Sequence, residues 1–572
     1  MIADTLGSLL LFALLSFGPA WPIAARLAGS APERLLASVV LSWLAIFVAG
    51  WTIHVCALPR AVFWILPGMA LGGLAMGWRA LRDLWREPDA RDVVIAQAVV
   101  TASIVAWLAL IVSYSGGAWV GDWFGHWQRT VFFLERGPRD ILFNGFDPLT
   151  SRPPLANVAF GALVTLTKPD FAHYQLACAW LASLAFLPAA VFARRLGRAD
   201  AGEPATGRAY QSTALLAVLF IANPMFVQNA TFAWTKLHAA FFTLAAFHFL
   251  LRAGDADAPR AGVLAAIALA AAILTHYSAG PYALVFAAVW LARGRWRDAA
   301  WWRGTAVAAF AGAAVLALWF GWALAAYGWR GTFLTNTSVT DAAPGLGAQL
   351  QAAALNVRDT LVPHFLREVD YGFFTQRHAW GRWRDWWFSL YQLNLFFLCG
   401  SAAWLAVLAA LAQGARSAAP RSRAGWAAGI VAIALLGVMV HGGRDTWGLA
   451  HICLQPLALG GLALLAARWD ALGAGWRRLV VAGAAVDFAL GIGLQFGCQS
   501  LLIDQWLGAA PEGGPLGGYS RAAQVNWNAK QHFKHVFFGD TWVGLELAWL
   551  ILLALLLGIA LLRAARAARS RG

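Results

Sequence analysis

Apolar stretches of about twenty residues recur along the whole chain, separated by shorter polar gaps. A helix of that length crosses the roughly 30 Å hydrocarbon core of a bilayer. Only 12% of the 572 residues are charged and 60% are hydrophobic, whereas soluble domains carry about 25% charged residues. The sequence therefore predicts an all-α polytopic membrane protein.

The apolar pattern predicts about 13–15 transmembrane helices, with interfacial helices in the outer loops. The predicted spans are 4–25, 33–54, 60–77, 92–114, 171–196, 211–228, 231–251, 261–277, 278–292, 305–327, 388–412, 425–440, 449–467, 479–498 and 542–562. The stretch 261–292 fits either one hairpin or one bent span. We divide the chain into extra N-terminal spans (1–91), a central module (92–292) and C-terminal spans (293–572).

The distribution of arginine predicts the topology. A net charge of +15 would suggest nucleic acid for a soluble protein, but here most arginines lie in alternate gaps between spans, so we expect no nucleic-acid partner. The gaps taken as cytoplasmic contain Arg79, Arg82, Arg86, Arg91, Arg194, Arg195, Arg198, Arg293, Arg295, Arg297, Arg416, Arg421, Arg423, Arg477, Arg478 and the tail Arg563 to Arg571. Three long loops, 115–170, 328–387 and 499–541, then face outwards, as do all four lysines.

The first long outer loop, 115–170, concentrates chemically active groups. It contains Gly121-Asp122-Trp123-Phe124-Gly125-His126-Trp127-Gln128-Arg129, Asn144-Gly145-Phe146-Asp147-Pro148 and Ser151-Arg152-Pro153-Pro154-Leu155. The Asp122 carboxylate can take a proton from a hydroxyl or amine, and the Arg152 guanidinium can neutralise a phosphate. In a helix, Arg129 shares roughly the same face as Asp122. Alternatively, Asp122 only caps an interfacial helix from Trp123 to Leu134.

This loop resembles the first outer loop of the GT-C glycosyltransferases, and most nearly the branch that contains protein O-mannosyltransferases and the aminoarabinose transferase of lipid A. The resemblance covers about 92–292 and depends on Asp122, the aromatic helix behind it and the basic residue before Pro-Pro-Leu. It implies an inverting transfer of a sugar from a polyprenyl-phosphate carrier, with Asp122 as the catalytic base. Arg152 stands where relatives often have lysine. The acidic neighbour often found beside the base is Trp123 here, so the use of a divalent metal stays open.

Further candidates lie at other predicted outer turns. Lys236 needs an anion or a path to the surface, and a lipid phosphate and Asp122 are both suitable counter-ions. Arg444 is the basic side chain of the short turn 441–445, where it either binds the donor phosphate or pairs with Asp445. His276 and Tyr277 occupy another outer turn, and these two join His126, Arg129 and Asp147 as additional candidates.

Cofactor and metal signals are weak. His126 beside Asp122 would supply only two metal ligands, which is too few to predict a metal site. The five cysteines are scattered singly, without the spacing of a metal site or a disulfide framework. The sequence therefore predicts no certain cofactor and leaves a divalent metal open.

Three functions fit these features. The first is a glycosyltransferase in a bacterial inner membrane, with its site facing the periplasm and a lipid, glycan or protein acceptor. The second is a transporter or flippase of a lipid or anionic solute, for which Asp487 inside the span 479–498 is the main indication. The third is a lipid-linked glycan polymerase or ligase. The polar candidates gather at outer ends of spans, which favours the transferase over the transporter.

Overall fold

The computed structural model describes residues 2–112, 122–143, 147–201, 206–255, 260–294, 296–335, 345–363, 394–417, 428–433, 451–501 and 532–539, together with 366, 387, 390, 547–548 and 550–551. Most of these residues are helical. A two-residue antiparallel pair, β1 (Leu142–Phe143) with β2 (Asp147–Pro148), is the sheet structure within them.

The first part of the described chain contains α1 (Ile2–Phe17), α2 (Trp21–Leu27), α3 (Ala31–Val55), α4 (Ile65–Met76), α5 (Trp78–Arg86), α6 (Pro88–Leu108), α7 (Asp122–Glu135) and α8 (Leu155–Leu166). The middle contains α9 (Phe171–Ser183), α10 (Phe186–Ala201), α11 (Thr206–Ala222), α12 (Pro224–Thr231), α13 (Lys236–Arg252), α14 (Ala261–Thr275), α15 (Gly280–Ala292) and α16 (Ala299–Phe333). The last part contains α17 (Leu346–Leu361), α18 (Leu395–Ser417), α19 (His451–Ala467), α20 (Ala474–Ile492), a π-helix (Gly493–Leu501) and α21 (Phe533–Phe538).

The described residues include five helices long and apolar enough to cross a membrane, or up to eight if each of three bent pairs is one span. The five are Ala31–Val55, Pro88–Leu108, Phe171–Gly197, Ala299–Phe333 and Ala474–Ser500. Phe171–Gly197 lies entirely within the bundle, whereas α16 keeps most of its surface exposed, as expected for a helix at the lipid boundary. The chain is a membrane protein, and the predicted all-α polytopic class is confirmed.

Salt bridges tie several helix ends together at one end of the bundle. Arg194 contacts Asp89 and Asp92 at 2.7 and 3.6 Å. The remaining bonds join Arg195 to Asp255, and Arg252 to Glu33 and Asp255. We call these seven residues the arginine network. They lie at the ends of helices that the arginine distribution predicts to be cytoplasmic.

The other end of the bundle carries the candidate site residues of the first outer loop. The helix α13 shows the separation, because Lys236 begins it and Arg252 ends it. At 1.5 Å per residue, the two residues are roughly 24 Å apart along the axis. The site residues and the arginine network therefore occupy opposite ends of the bundle.

Several helix bounds differ from the predicted spans. The predicted span 231–251 begins at Lys236, because the chain before it forms the separate helix α12, bent by 66° from α11. The break follows Asn223, whose side chain caps α12 and precedes Pro224. The buried helix α8 was not predicted, since its twelve residues are too few to span a bilayer.

Candidate functional site

The site begins with α7, whose first residue is Asp122. The predicted helix Trp123–Leu134 is confirmed to within one residue, and every residue from 123 to 134 is buried against the rest of the bundle. The rings of Trp123 and Trp127 pack on Phe171 and Tyr174 of α9. Asp122 itself is half-buried at the N-terminus of the helix, where the helix dipole favours a carboxylate.

Arg129 is buried within the site, with only 2% of its surface exposed. Its guanidinium donates to the Gly125 carbonyl at 3.1 Å and to the Ser151 hydroxyl at 3.0 Å. It also lies 3.7 Å from the Asp147 carboxylate and 4.5 Å from the centre of the Phe143 ring. Burial lowers the pKa of Arg129 to about 10, and Asp147 opposes that shift. The side chain therefore stays charged at neutral pH.

The short turn before Arg152 is held from three sides. Arg129 donates to Ser151, and the Tyr277 hydroxyl donates to the Thr150 carbonyl at 3.1 Å. The Thr150 hydroxyl contacts the Thr335 hydroxyl at 2.9 Å, beyond the end of α16. Arg152 follows this turn and is half-buried. Arg129 and Tyr277 thus act on Arg152 through the backbone that carries it.

Lys236 opens α13 and is 5% exposed. Its ammonium lies 3.2 Å from the centre of the Trp234 ring, an arrangement favourable for a cation. Asp122 and Arg152 are both within electrostatic range of this ammonium. The buried hydroxyl of Thr235, at the N-cap of α13, has no hydrogen-bond partner within the described ranges. The ammonium and the helix N-terminus together favour an anion here.

His126 lies one turn into α7 and is 6% exposed. Burial, together with the nearby guanidinium groups of Arg129 and Arg152, lowers its pKa well below the ordinary value. His276 is close enough to add to this effect. The amide of Asn157, in α8, lies beside the imidazole. The ring is therefore neutral at physiological pH.

His276 has a defined tautomer. Its Nδ1 accepts a hydrogen bond from the Ser278 backbone amide at 3.1 Å and lies 2.9 Å from the Ser278 hydroxyl. An Nδ1 that accepts from an amide carries no proton in the neutral ring, so Nε2 carries it.

The structure brings most predicted site residues together. We call them the site cluster: Asp122, His126, Arg129, Asp147, Arg152, Lys236, His276 and Tyr277. Arg444 lies outside the described residues, as do His441 and Asp445. Among the described residues, no group of three or more His, Cys, Asp or Glu side chains has the arrangement of a metal site.

The sequence did not single out Asn157, Thr235 or Ser151. Asn157 is a polar residue inside an apolar run, which is the signal that could have identified it. Thr235 precedes Lys236 at a helix start, a position typical of N-caps. Ser151 becomes important only through its bond to Arg129, which no local pattern reveals.

A distant segment covers the start of α7. The His532 ring packs on Trp123, the residue after Asp122, with ring centres 5.5 Å apart. Gln175 of α9 holds that segment, since its side-chain oxygen accepts from the Phe533 amide at 2.6 Å. Residues from the loop 499–541 therefore help to fix the position of Asp122.

Asp487, the residue that suggested a transporter, lies where α18 breaks. Gly400 adopts a positive φ of 77°, and its Cα leaves no room for a side chain against Asp487. The Asp487 carboxylate accepts hydrogen bonds from the amides of Ser401 and Ala402 at 2.7 and 2.9 Å. It therefore caps a helix within the bundle, a structural role.

No family model and no curated protein matches the chain. Two solved structures are similar to it. One is ArnT from Cupriavidus metallidurans bound to undecaprenyl phosphate, with 15% identity and a TM-score of 0.31 over 65% of this chain and 76% of that one. The other is the same protein in the apo state, with 16% identity and a TM-score of 0.30 over 69% and 77%.

Proposed function

We propose that the chain is a membrane glycosyltransferase that moves a sugar from a polyprenyl-phosphate carrier to an acceptor on the periplasmic side of a bacterial inner membrane. One observation carries the proposal: a half-buried carboxylate, Asp122, lies within electrostatic range of cations that are half-buried or buried at the same end of the bundle. A base beside an anion-binding group is what transfer from a phosphate leaving group needs.

The reaction follows from these groups. Asp122 takes the proton of the acceptor hydroxyl or amine, whose lone pair attacks the anomeric carbon from the face opposite the phosphate. The bond from the anomeric carbon to the phosphate oxygen breaks, and the electron pair leaves with the polyprenyl phosphate. The configuration at the anomeric carbon is inverted. Arg152 and Lys236 neutralise the charge that grows on the leaving phosphate.

Arg152 and Lys236 suit a lipid phosphate for different reasons. The guanidinium of Arg152 is half-buried and supplies a forked donor. Lys236 adds a point charge at a helix N-terminus. Arg444 is proposed as a third phosphate ligand on its sequence position alone.

The remaining members of the site cluster are assigned supporting roles. Arg129, paired with Asp147, and Tyr277 hold the turn that carries Arg152. We further propose that 92–292 forms the catalytic module, that 1–91 and 293–572 add spans to it, and that the acceptor is a lipid, glycan or protein.

Donor turnover in lipid nanodiscs tests the proposal. The purified protein is given undecaprenyl phosphate carrying radiolabelled sugars, with and without crude membrane acceptors, and released undecaprenyl phosphate is measured. The wild type should consume a donor, and Asp122→Asn should reduce the rate by about 10²–10⁴-fold, the usual contribution of a general base. Asp140→Asn is the matched control, because Asp140 is an exposed carboxylate of the same loop. Full activity in Asp122→Asn would remove the proposed base.

A further inference from the structure

The turn between α15 and α16 is surrounded by tryptophans and arginines. We call this group the tryptophan hairpin: Trp290, Arg293, Trp296, Arg297, Trp301, Trp302 and Arg303. The helix α15 begins just after Tyr277 of the site cluster and runs away from it to Ala292, and α16 then returns from Ala299. The hairpin therefore lies at the end of the bundle that carries the arginine network, and none of its residues has a role in the reaction above.

The four rings of the hairpin form one packed cluster. The rings of Trp290 and Trp301 are stacked, with their centres 6.2 Å apart. Trp302 packs edge-on against Trp301 at 4.7 Å and against Trp296 at 5.5 Å. The indole N–H of Trp302 donates to the Trp296 carbonyl at 3.1 Å, and that of Trp290 donates to the Thr305 hydroxyl at 3.0 Å. The chain itself therefore fixes the positions of the rings.

Two of these fixed rings are largely exposed. Trp296 is 54% exposed and Trp302 is 44% exposed. An indole combines a large apolar surface with a polar N–H, and it is therefore enriched where hydrocarbon meets the lipid headgroups. The exposed rings indicate that the hairpin lies at the depth of the headgroups.

The charges of the hairpin favour an anionic partner. Arg293, Arg297 and Arg303 are exposed, and among the residues that the structure describes none of them is paired with a carboxylate. The carboxylate of Asp298, which lies in the same turn, caps α16 by accepting from the Ala300 amide at 2.8 Å. Guanidinium groups bind phosphate through forked hydrogen bonds. The hairpin is therefore complementary to a phosphate group.

The surface beside the arginines distinguishes a lipid from a soluble anion. Val307 and Phe310 follow Arg303 on the same face of α16, and they are 57% and 75% exposed. They lie roughly 6 and 10 Å farther along the helix axis. A cation followed by exposed apolar side chains matches a molecule that has an anionic head and a hydrocarbon chain. A soluble phosphate would contact the cations only.

We propose that the tryptophan hairpin binds an anionic phospholipid, such as phosphatidylglycerol, in the leaflet opposite the site cluster. Arg297 and Arg303 contact the phosphate, the exposed rings of Trp296 and Trp302 pack against the glycerol backbone, and an acyl chain follows the apolar face of α16. The distribution of arginine predicts that this end is cytoplasmic, and cytoplasmic leaflets carry anionic lipids. The inference is independent of the proposed transferase function.

Lipid binding by the purified full chain in detergent tests the inference. The protein is titrated with dioleoyl phosphatidylglycerol or with zwitterionic dioleoyl phosphatidylcholine, and native mass spectrometry counts the lipids retained. The wild type should bind phosphatidylglycerol at least about fivefold more tightly, since one arginine beside an anionic headgroup contributes about that factor. Arg297→Ala with Arg303→Ala should weaken phosphatidylglycerol binding about 25-fold and leave phosphatidylcholine binding unchanged. Equal affinities for the two lipids in the wild type, or no weakening in the double variant, would overturn the site.

Arg26→Ala with Arg478→Ala is the matched control. These two arginines are exposed at the same end of the bundle, on α2 and α20. The control removes the same charge and leaves the hairpin intact, so it should bind phosphatidylglycerol like the wild type. Equal weakening in the two double variants would show diffuse attraction to a basic surface and contradict a site at the hairpin.

Two further outcomes separate the lipid from other partners. Glycerol phosphate carries the phosphate without the chains, and it should bind at least about 100-fold more weakly than phosphatidylglycerol, because burial of about four methylene groups already gives that factor. Equally tight binding of glycerol phosphate would overturn the lipid. The same spectra report the oligomeric state. A dimer that Arg297→Ala with Arg303→Ala dissociates, with lipid binding unchanged, would make the hairpin an interface between copies and overturn the proposal.

Discussion

The arginines of the arginine network and of the site cluster, at the two polar ends of the bundle, differ in how closely they pair with carboxylates. In the arginine network, each of three guanidinium groups meets a carboxylate at 2.7 Å or less. In the site cluster, the guanidinium of Arg129 lies farther from its carboxylate, at 3.7 Å from Asp147. Arg152 donates a hydrogen bond to the backbone carbonyl of Ser151. In the arginine network each guanidinium is closely paired with a carboxylate, whereas the looser pairing in the site cluster is what we expect of a site that binds an anion.

This difference matters because charge buried without balance is costly. The arginine network is satisfied within the chain, so its removal should change stability and leave substrate affinity unchanged. Under the proposed function, a bound phosphate adds the negative charge that the site cluster accommodates. Substitutions in the arginine network should therefore change mainly the stability, whereas substitutions in the site cluster should change mainly the affinity for the donor.

The largest effect is expected from Arg129→Met. This change leaves the Asp147 carboxylate buried without its cation, which costs about 3–5 kcal/mol in comparable buried pairs. The midpoint of thermal unfolding in detergent should fall strongly. The double variant Arg129→Met with Asp147→Asn should recover at least half of that loss. If the single variant unfolds like the wild type, the pair does not hold the loop.

The affinity for the donor in Lys236→Met tests the difference between the two ends of the bundle. Loss of one charge-assisted contact of about 1.5–3 kcal/mol should raise the KM for the donor by about 10–100-fold. Arg252→Met, at the opposite end of the same helix, should lower the unfolding midpoint and keep the donor KM. Equal changes of KM in both variants would remove the distinction between the ends.

The smallest effect is a pH dependence. Burial and two guanidinium groups lower the pKa of His126, whereas an unfolded chain protonates histidine near 6.5. The folded state therefore loses stability as the pH falls through about 6.5, by up to about 1.4 kcal/mol at pH 5.5. His126→Gln should flatten this acid-side loss in thermal unfolding. A steeper loss in the variant would show that the ring is charged in the fold.

Much of the fold and part of the site could be predicted from the sequence. Charged residues are rare in this chain, so Asp122 and Arg152 stood out in the first predicted outer loop, and Lys236 stood out near the outer end of a predicted span. Hydropathy also identified the membrane class. The positions of these residues relative to one another depend on how α7, α8 and α13 pack, which periodicity does not determine.

Three features of the fold and the site could not be predicted from the sequence, each for a physical reason. The helix α8 is too short to be recognised as a span and lies inside a predicted loop. The break at Gly400 depends on a positive φ and on the distant Asp487 carboxylate. Asn157 is a visible polar residue in an apolar run, but its position beside His126 follows from the packing of α8 on α7 and could not be read from the sequence.

The central claim is that the site cluster, and not the arginine network, binds a lipid phosphate. The most direct measurement is the Kd of undecaprenyl phosphate for the protein in nanodiscs, compared among the wild type, Arg152→Ala and Arg195→Ala. Arg195 is the matched control, since it is partly exposed and paired with Asp255. We expect Arg152→Ala to weaken binding about tenfold or more, as loss of a charged hydrogen bond does, and Arg195→Ala to bind like the wild type. Unchanged binding in Arg152→Ala, or equal weakening in both variants, would contradict the claim.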